Sequence, residues 1–163
     1  MKKMLICLLL AGASSTLCAE VLVGVSVSAT GSGASLGGHG ANAVALLPKT
    51  IAGEPVRYVI LDDASDPTVG AKNARKFVSD DKVDVIIGSS TVPVAMAQGT
   101  VATESRIPFI ALCPIAIDLP KQSYLFAVPQ PIPLMVDAVV EHMKASKLRT
   151  AGYIGFSDPW GDM

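Results

Sequence analysis

Short apolar runs alternate with stretches of helical periodicity along most of this chain. Each run is four to seven residues long and rich in β-branched residues, which is typical of buried strands. The predicted strands are residues 21–27, 56–61, 83–87, 109–112 and 124–128. The predicted helices between them are residues 40–47, a helix with Asp66 as its N-cap and Pro67 at its first position, and residues 92–104. This alternation predicts an α/β fold, a doubly wound parallel sheet in a three-layer α/β/α arrangement.

A proline-rich segment at residues 129–133 interrupts this pattern and predicts a boundary. A predicted amphipathic helix follows, with apolar residues at helical spacing: Ile132, Met135, Val136, Val139, Val140 and Met143. Residues 150–156 predict a sixth strand. We therefore divide the chain into a leader of residues 1–19, a first lobe of residues 20–128, and residues 129–163. The last region would hold a crossover and the first helix and strand of an incomplete second lobe.

The first 19 residues have the three parts of a secretory signal peptide. Two lysines form a basic start, residues 4–13 are an apolar core too short to span a bilayer, and cleavage is expected after Ala19. A lipoprotein signal at Cys18 is disfavoured, because Leu17 stands where a small residue is needed. The mature protein is therefore expected in the periplasm.

The charge and cysteine content of the mature chain narrow the function classes. Two of the 13 basic residues lie in the leader, which leaves 11 against 14 acidic residues, a net charge of −3. The chain has no basic patch with interleaved aromatic residues, so nucleic acid is not an expected partner. Cys7 and Cys18 belong to the leader, and Cys113 alone cannot form an intrachain disulfide. The fold must therefore depend on its apolar core.

Three consecutive hydroxyl residues, Ser89, Ser90 and Thr91, follow the third predicted strand and precede a helix. In doubly wound sheets, ligands bind beyond the carboxyl ends of the strands, at the point where the strand order reverses. For the order 2-1-3-4-5, that reversal lies between the first and third strands. Residues 28–40 and 88–91 are then expected to face each other across a crevice.

Three kinds of chemistry fit this junction poorly. A nucleophilic serine needs a nearby base, but the only histidines, His39 and His142, are expected on the solvated surface, and a Gly-x-Ser-x-Gly elbow is absent. The glycine-rich residues 31–37 resemble a dinucleotide fingerprint with one residue too many. The aspartates of residues 62–66 lack the glycine and distal glutamate of a calcium loop. We expect no catalysis, no cofactor and no metal.

Two explanations of the three hydroxyls remain open. A helix N-terminus has unpaired N–H groups and a partial positive charge, so with neutral hydroxyl donors it suits a carboxylate that must be released again. The structural alternative is that Thr91 merely caps the helix, a contribution of about 1 kcal/mol. A single cap leaves Ser89 and Ser90 unused, which favours ligand contact.

Several motifs, taken in order, resemble one known family. They are the leader, the loop T-G-S-G-A-S-L-G, the segment V-R-Y-V-I-L-D-D-A-S-D-P, the junction V-D-V-I-I-G-S-S-T and the segment R-I-P-F-I-A-L. The mature chain resembles periplasmic solute-binding proteins of the leucine/isoleucine/valine-binding type, the substrate receptors of ABC importers. The resemblance implies two α/β lobes that close on a ligand. It also implies a chain more than twice this long, so we expect that the chain is truncated at Met163.

The same resemblance implies a ligand site. Its residues would be Leu36, Ser89, Ser90, Thr91, Cys113, Pro114, Ile115 and Trp160. The hydroxyls of residues 89–91 would hold a carboxylate, and the loop of residues 113–115 would meet an α-ammonium group. Ile115 stands where amino-acid binders usually have a hydroxyl residue, and a buried charge without partners is costly. An amino acid, an aromatic or aliphatic carboxylate and an amide are therefore all candidate ligands.

Partners follow from the resemblance as well. They are a small-molecule ligand and the membrane permease of an ABC transporter, for a protein expected to act as a monomer. The alternative is a ligand-sensing domain of the same fold, as in signalling receptors and amide sensors. Some family members have a disulfide that joins the D-D-x-x-D-P loop to the hydroxyl loop, and Ser65 occupies that position here.

Overall fold

The computed structural model describes residues 20–162, so the predicted leader lies outside the described residues. Its strands are β1 (Val21–Val27), β2 (Thr50–Ile51), β3 (Glu54–Asp62), β4 (Val85–Ile87), β5 (Phe109–Ala111) and β6 (Leu125–Ala127). Its α-helices are α1 (Ala34–Val44), α2 (Pro67–Lys76), α3 (Val92–Ser105) and α4 (Ile132–Ala145). A π-helical turn, Phe77–Asp81, continues α2. The five predicted strands of the first lobe are all present, with shifted ends.

The six strands form one sheet in the order β2-β3-β1-β4-β5-β6. All neighbouring pairs are parallel except the two-residue strand β2, which forms an antiparallel hairpin with β3. Without that hairpin strand, the order is 2-1-3-4-5, the order for which a crevice between the first and third strands was expected. The order reverses at β1, which lies between β3 and β4. The doubly wound α/β prediction is therefore confirmed.

Helices cover both faces of the sheet, because side chains alternate along each strand. Val23, Val25 and Val27 of β1 belong to one core cluster, together with Val44 of α1. A second cluster contains Ile86 of β4 with buried residues of the other helices: Ala74, Val92, Ala95, Val101 and Ala102. The core of the lobe therefore consists of two apolar layers with the sheet between them.

Helix α1 begins at Ala34, six residues before the predicted start at Gly40. The glycines of this segment predicted a loop because glycine is a poor helix former. In the structure, Gly37 lies directly against the end of β1, and a Cβ at Gly37 would come within 2.1 Å of the Ser28 carbonyl oxygen. Close packing of the helix on the strand therefore outweighs the low helix propensity.

The predicted helix cap at Asp66 is confirmed. Its Oδ1 accepts hydrogen bonds from the backbone N–H groups of Thr68 at 2.7 Å and Val69 at 3.0 Å. Pro67 occupies the first position of α2, where no N–H is needed. These bonds lower the pKa of Asp66.

The predicted sixth strand at residues 150–156 is wrong, because this segment forms no ladder with any described strand. A strand needs a neighbour for its backbone groups, and the edge strand β6 pairs only with β5. The predicted helix at residue 132 is present as α4, but none of its residues is buried. Val136 and Val139 of its apolar face are exposed. Within residues 20–162, no helix combines the length and apolarity needed to cross a bilayer.

We predict that acid destabilises the fold partly through Asp66. Its pKa is lowered in the folded state, so the stabilisation is complete above the unfolded value of 3.8 and is lost as the pH falls through the folded value. The free energy of unfolding, measured by urea titration between about pH 5 and pH 2, should therefore decrease below about pH 4. Asp66→Asn keeps a cap acceptor but does not titrate, so this part of the decrease should disappear.

Asp66→Ala is the matched control, because it removes the cap at every pH and should be less stable than Asp66→Asn even at pH 7. Identical pH profiles for the wild type and Asp66→Asn would contradict the prediction.

Candidate functional site

An open cleft of about 580 Å³ lies at the carboxyl ends of β1, β4 and β5. Its walls come from the loops after these strands, the first turns of α1 and α3, and the segment after α4. The lining residues are Ser32, Gly33, Leu36, Gly40, Ser65, Ser90, Thr91, Val92, Pro93, Leu112, Cys113, Pro114, Phe156, Asp158 and Trp160. The cleft therefore lies at the predicted switch point, where β1 separates β3 from β4.

The loops after β1 and β4 face each other as predicted, and they nearly touch. A Cβ built on Gly33 would come within 2.6 Å of the Thr91 methyl group and 3.2 Å of Ser65 Oγ. Gly33 is itself buried between these loops. Only a residue without a side chain fits here, which explains one glycine of the glycine-rich loop without any phosphate or dinucleotide.

The cleft brings together most of the residues that the sequence predicted for it. Leu36 of α1, Ser90, Thr91 and Trp160 line it, together with Cys113 and Pro114 of the loop after β5. Leu36 and Trp160 are 63% and 42% exposed, so both have surface available for a ligand. Ser89 and Ile115 are not among the lining residues.

Ser89 points away from the cleft, into the lobe. Its side chain is fully buried, and its hydroxyl donates a hydrogen bond of 2.6 Å to Asp63 Oδ2. A hydroxyl engaged in this way does not face a ligand. The prediction that the Ser89 side chain holds a carboxylate must therefore be corrected.

Ile115 also lies elsewhere. It packs against the larger core cluster and lines a separate small depression beside Met96, Thr100 and Leu125. Its side chain is used for packing, so the absence of a hydroxyl at this position does not argue against a ligand with an α-ammonium group. The sequence-based argument from Ile115 is corrected accordingly.

The hydroxyl of Thr91 is at the N-terminus of α3 but does not cap it. Thr91 occupies the N-cap position without a side-chain cap bond. Within residues 20–162, only its Oγ1 and Gln98 Oε1 are buried side-chain polar atoms with no hydrogen-bond partner. An unsatisfied buried hydroxyl costs about 1–3 kcal/mol. The explanation of Thr91 as a helix cap is therefore wrong, and its hydroxyl, buried at the cleft wall, has no partner within residues 20–162.

Residues 20–162 match a family model described as periplasmic binding protein. This chain belongs to the periplasmic binding protein family. The family binds substrates and is generally not enzymatic. The match extends over nearly the whole described chain and confirms the family resemblance that the motifs indicated.

Solved structures agree with this assignment. An extracellular ligand-binding receptor from Rhodopseudomonas palustris HaA2 is 43% identical with a TM-score of 0.85, over 88% of this chain and 40% of that protein. A solute-binding protein of an ABC transporter from R. palustris BisB5, in complex with 3,4-dihydroxybenzoic acid, is 30% identical with a TM-score of 0.60, over 66% of this chain and 31% of that protein. The leucine-binding protein LivK from Thermotoga maritima is 22% identical with a TM-score of 0.68, over 78% and 37%, and shows the shared fold alone.

The comparison with curated proteins finds no match. This periplasmic binding protein chain spans about 40% of the length of the receptor from R. palustris HaA2.

In this periplasmic binding protein, hydrogen bonds connect the loop after β1 with the turn after β3, and the two form one wall of the cleft. Asp62, at the end of β3, accepts bonds from Thr30 Oγ1 at 2.6 Å, Thr30 N at 3.2 Å and Ala64 N at 2.8 Å. Partial burial opposes ionisation of Asp62, but these bonds outweigh it and lower its pKa. Ser65 Oγ donates to the Thr30 carbonyl at 2.8 Å and accepts from Gly33 N at 2.9 Å. The cleft loops after β1 and β3 thus form one unit.

The cleft has neutral donors and one charged side chain. Among the described residues that line it, only Asp158 is charged, and no lysine, arginine or histidine is present. Asp158 Oδ1 accepts from the backbone N–H groups of Trp160 at 2.9 Å and Gly161 at 3.0 Å. Ser90 and Thr91 add neutral hydroxyl groups to the same cleft. His39 and His142 are both exposed and outside the cleft, as predicted.

Cys113 lines the cleft but is not a reactive thiol. Its side chain is 5% exposed, and burial raises the pKa of the thiol to about 12, with a further contribution from the negative charge of Asp63. A protonated, buried thiol is a poor nucleophile. Cys113 therefore acts as a small apolar residue of the cleft wall.

Sequence reasoning missed part of this wall. The missed residues are Ser65, Val92, Pro93, Leu112, Phe156 and Asp158, whereas Ser32, Gly33 and Gly40 lie within the predicted crevice loop of residues 28–40. The resemblance marks Ser65 only as the position of a disulfide in some family members. The position of Ser65 in the sequence was a usable signal, because Ser65 lies in the turn after β3, at the same edge of the sheet as residues 89–91.

We predict that Gly33→Ala lowers the free energy of unfolding by about 1–3 kcal/mol, because the added methyl overlaps the Thr91 methyl and crowds Ser65. Urea unfolding measures the change. Gly38→Ala is the matched control, because a Cβ there meets nothing within 4 Å and lies inside α1. It should raise the stability by about 0.5–1 kcal/mol. Equal effects of the two substitutions would contradict the close approach of the loops.

Proposed function

We propose that this protein is the periplasmic substrate receptor of an ABC importer and that its ligand is a small organic carboxylate with an apolar body. The observation that carries the proposal is the unpartnered Thr91 hydroxyl at the N-terminus of α3, in the wall of a cleft at the switch point. Buried polar groups are normally satisfied, so such a group suggests a partner that comes from outside the chain.

The surroundings of Thr91 suit a carboxylate. Helix α3 has 14 residues, and the N-terminus of such a helix has free N–H groups and a partial positive charge that favour anions. Ser90 adds a second hydroxyl next to it. The described lining contains no fixed positive charge, so the bound anion would be held by neutral donors only. A site of this kind suits a receptor, which must release its cargo to a permease.

The remaining wall suits an apolar body on the ligand. Leu36, Leu112, Phe156 and Trp160 line the cleft and are all exposed. Two ligand types fit this combination of a polar end and an apolar wall, and the relatives provide an example of each. The R. palustris BisB5 protein was solved with an aromatic acid, 3,4-dihydroxybenzoic acid, and the T. maritima protein is described as leucine-binding. Asp158 is placed to favour a ligand that also has an ammonium group.

We predict that Thr91→Val weakens ligand binding while it stabilises the ligand-free protein. Loss of one hydrogen bond to a carboxylate corresponds to about a tenfold weaker affinity. Removal of an unsatisfied hydroxyl should raise the free energy of unfolding of the unliganded form. Calorimetric titration with leucine and with 3,4-dihydroxybenzoate, together with urea unfolding, measures both effects.

Thr103→Val is the matched control in the same helix. Thr103 Oγ1 donates to the Gly99 carbonyl at 2.8 Å and is not part of the cleft, so its loss should slightly lower the stability and leave the affinity unchanged. Failure of both acids to bind, or full affinity of Thr91→Val, would overturn the proposed site.

We predict that deletion of the gene abolishes high-affinity uptake of the ligand identified by calorimetry. Complementation with the wild-type gene should restore uptake, and complementation with the Thr91→Val variant should restore it only at higher ligand concentration. A ligand-sensing domain of the same fold predicts the opposite pattern, with uptake intact and the cell's transcriptional response to the ligand lost. Uptake of the radiolabelled ligand therefore distinguishes the two functions.

A further inference from the structure

A fully buried carboxylate lies behind the cleft wall, and nothing in the proposed binding chemistry uses it directly. Asp63 follows the last residue of β3 and has no solvent exposure. We propose that Asp63 is a positioning residue: through Ser89 it fixes the segment of residues 88–91 that brings Ser90 and Thr91 to the cleft. This inference rests on the proposed function, because it assigns a role in that same site.

Four donors converge on this carboxylate. Its Oδ1 accepts from Ser28 Oγ at 2.7 Å and from the Ser65 N–H at 3.0 Å. Its Oδ2 accepts from Ser26 Oγ at 3.0 Å and from Ser89 Oγ at 2.6 Å. Each carboxylate oxygen has two acceptor sites, so these four hydrogen bonds use the full acceptor capacity of Asp63. Among the ion pairs within residues 20–162 none involves Asp63, so hydroxyl and amide donors alone compensate its burial.

The donors come from different strands and loops at and behind the cleft wall. Ser26 belongs to β1 and Ser28 to the loop after it, Ser65 lies in the turn after β3, and Ser89 follows β4. A single carboxylate therefore joins the three loops at the switch point. The loss of a partner of a buried charge is costly, because the charge then has no compensation in a medium of low polarity.

The segment before Ser90 is also held from its other side. The Gly88 N–H donates to the Ile110 carbonyl of β5 at 3.0 Å. A Cβ at Gly88 would come within 2.5 Å of the Ser26 carbonyl oxygen, so the segment lies directly against the backbone of β1. The segment is therefore held by β1 and β5 at Gly88 and by the Asp63 carboxylate at Ser89.

Helix α3 is tied to the same cluster. Gln98, fully buried on α3, donates through Nε2 to Ser26 Oγ at 2.6 Å. The Ser26 hydroxyl in turn donates to Asp63. Both the hydroxyl segment and the helix whose N-terminus forms the site are thus fixed to one buried group. Such fixing lowers the entropy that a ligand would otherwise lose when it orders the site.

We predict that Ser89→Ala weakens ligand binding by about tenfold, although its side chain does not touch the ligand. Thr103→Val is the control, because it removes a hydroxyl hydrogen bond of 2.8 Å on α3, outside the cleft and outside the group of residues around Asp63. Both variants should unfold at lower urea concentration, but only Ser89→Ala should lose affinity. Ser89→Cys, with similar volume and a weaker donor, should be intermediate and serves if Ser89→Ala does not fold.

Two readouts separate positioning from a general loss of stability. The effect of Thr91→Val on affinity should be smaller in the Ser89→Ala background than in the wild type. In that background the Thr91 hydroxyl is already displaced and contributes less to ligand binding. In the ligand-free protein, NMR order parameters of the Ser90 and Thr91 amides should fall in Ser89→Ala and stay near the rigid value of about 0.85 in Thr103→Val.

Wild-type affinity of folded Ser89→Ala, strict additivity with Thr91→Val, or unchanged order parameters would each overturn the inference. If the wild type binds none of the acids, the proposed function fails. The order parameters then still decide whether Asp63 and Ser89 fix the segment.

Discussion

The arrangement of the loops on the cleft side of the lobe depends on the buried carboxylate of Asp63. A carboxylate moved into a protein interior without partners costs several kcal/mol. Here it is compensated by three serine hydroxyls and one backbone N–H, which come from β1, from the loop after it, from the turn after β3 and from the segment after β4. Each donor can serve this acceptor only if its own loop has the correct position. The need to satisfy one buried group therefore sets the relative positions of three loops that no covalent cross-link joins.

Close backbone approach completes what these hydrogen bonds begin. Gly33 and Gly88 lie where a Cβ would overlap Thr91 or the Ser26 carbonyl, so the loops after β1 and β4 are in direct contact. Asp62 and Ser65 link the first of these loops to the turn after β3. The resemblance implies that some family members join the D-D-x-x-D-P loop to the hydroxyl loop by a disulfide, whereas in this chain the Ser89–Asp63 hydrogen bond connects the same two regions. The single cysteine of the described chain, Cys113, is an apolar part of the wall.

This hydrogen-bonded frame supports the proposed binding of an anion at a site whose described lining has no fixed cation. The Thr91 hydroxyl has no partner within the described chain, although its neighbours are well satisfied. The unsatisfied hydroxyl destabilises the ligand-free protein, and a ligand that provides an acceptor would remove this destabilisation. Under the proposed function, neutral donors on a fixed frame would hold the anion and still allow its release to a permease. The apolar wall around Leu36 and Trp160 would then distinguish among carboxylates by their bodies.

Much of this could be predicted from the sequence, because apolar periodicity reports which residues must be buried. The periodicity indicated the five strands of the first lobe and the helices between them, and the Asp66-Pro67 pair indicated the helix cap. The position of the crevice followed only on the condition of the strand order 2-1-3-4-5. The periodicity could not indicate that Gly37 permits α1 to start at Ala34, since that depends on the carbonyl of Ser28 in another element. Nor could it separate Ser89 from Ser90 and Thr91, or place Ile115 in the core. Three adjacent hydroxyls look alike in a sequence, and only the tertiary structure decides which of them meets a buried carboxylate and which meets the cleft. The reason is physical: a side chain's direction is determined by partners distant in the chain, such as Asp63, and local pattern contains no information about them.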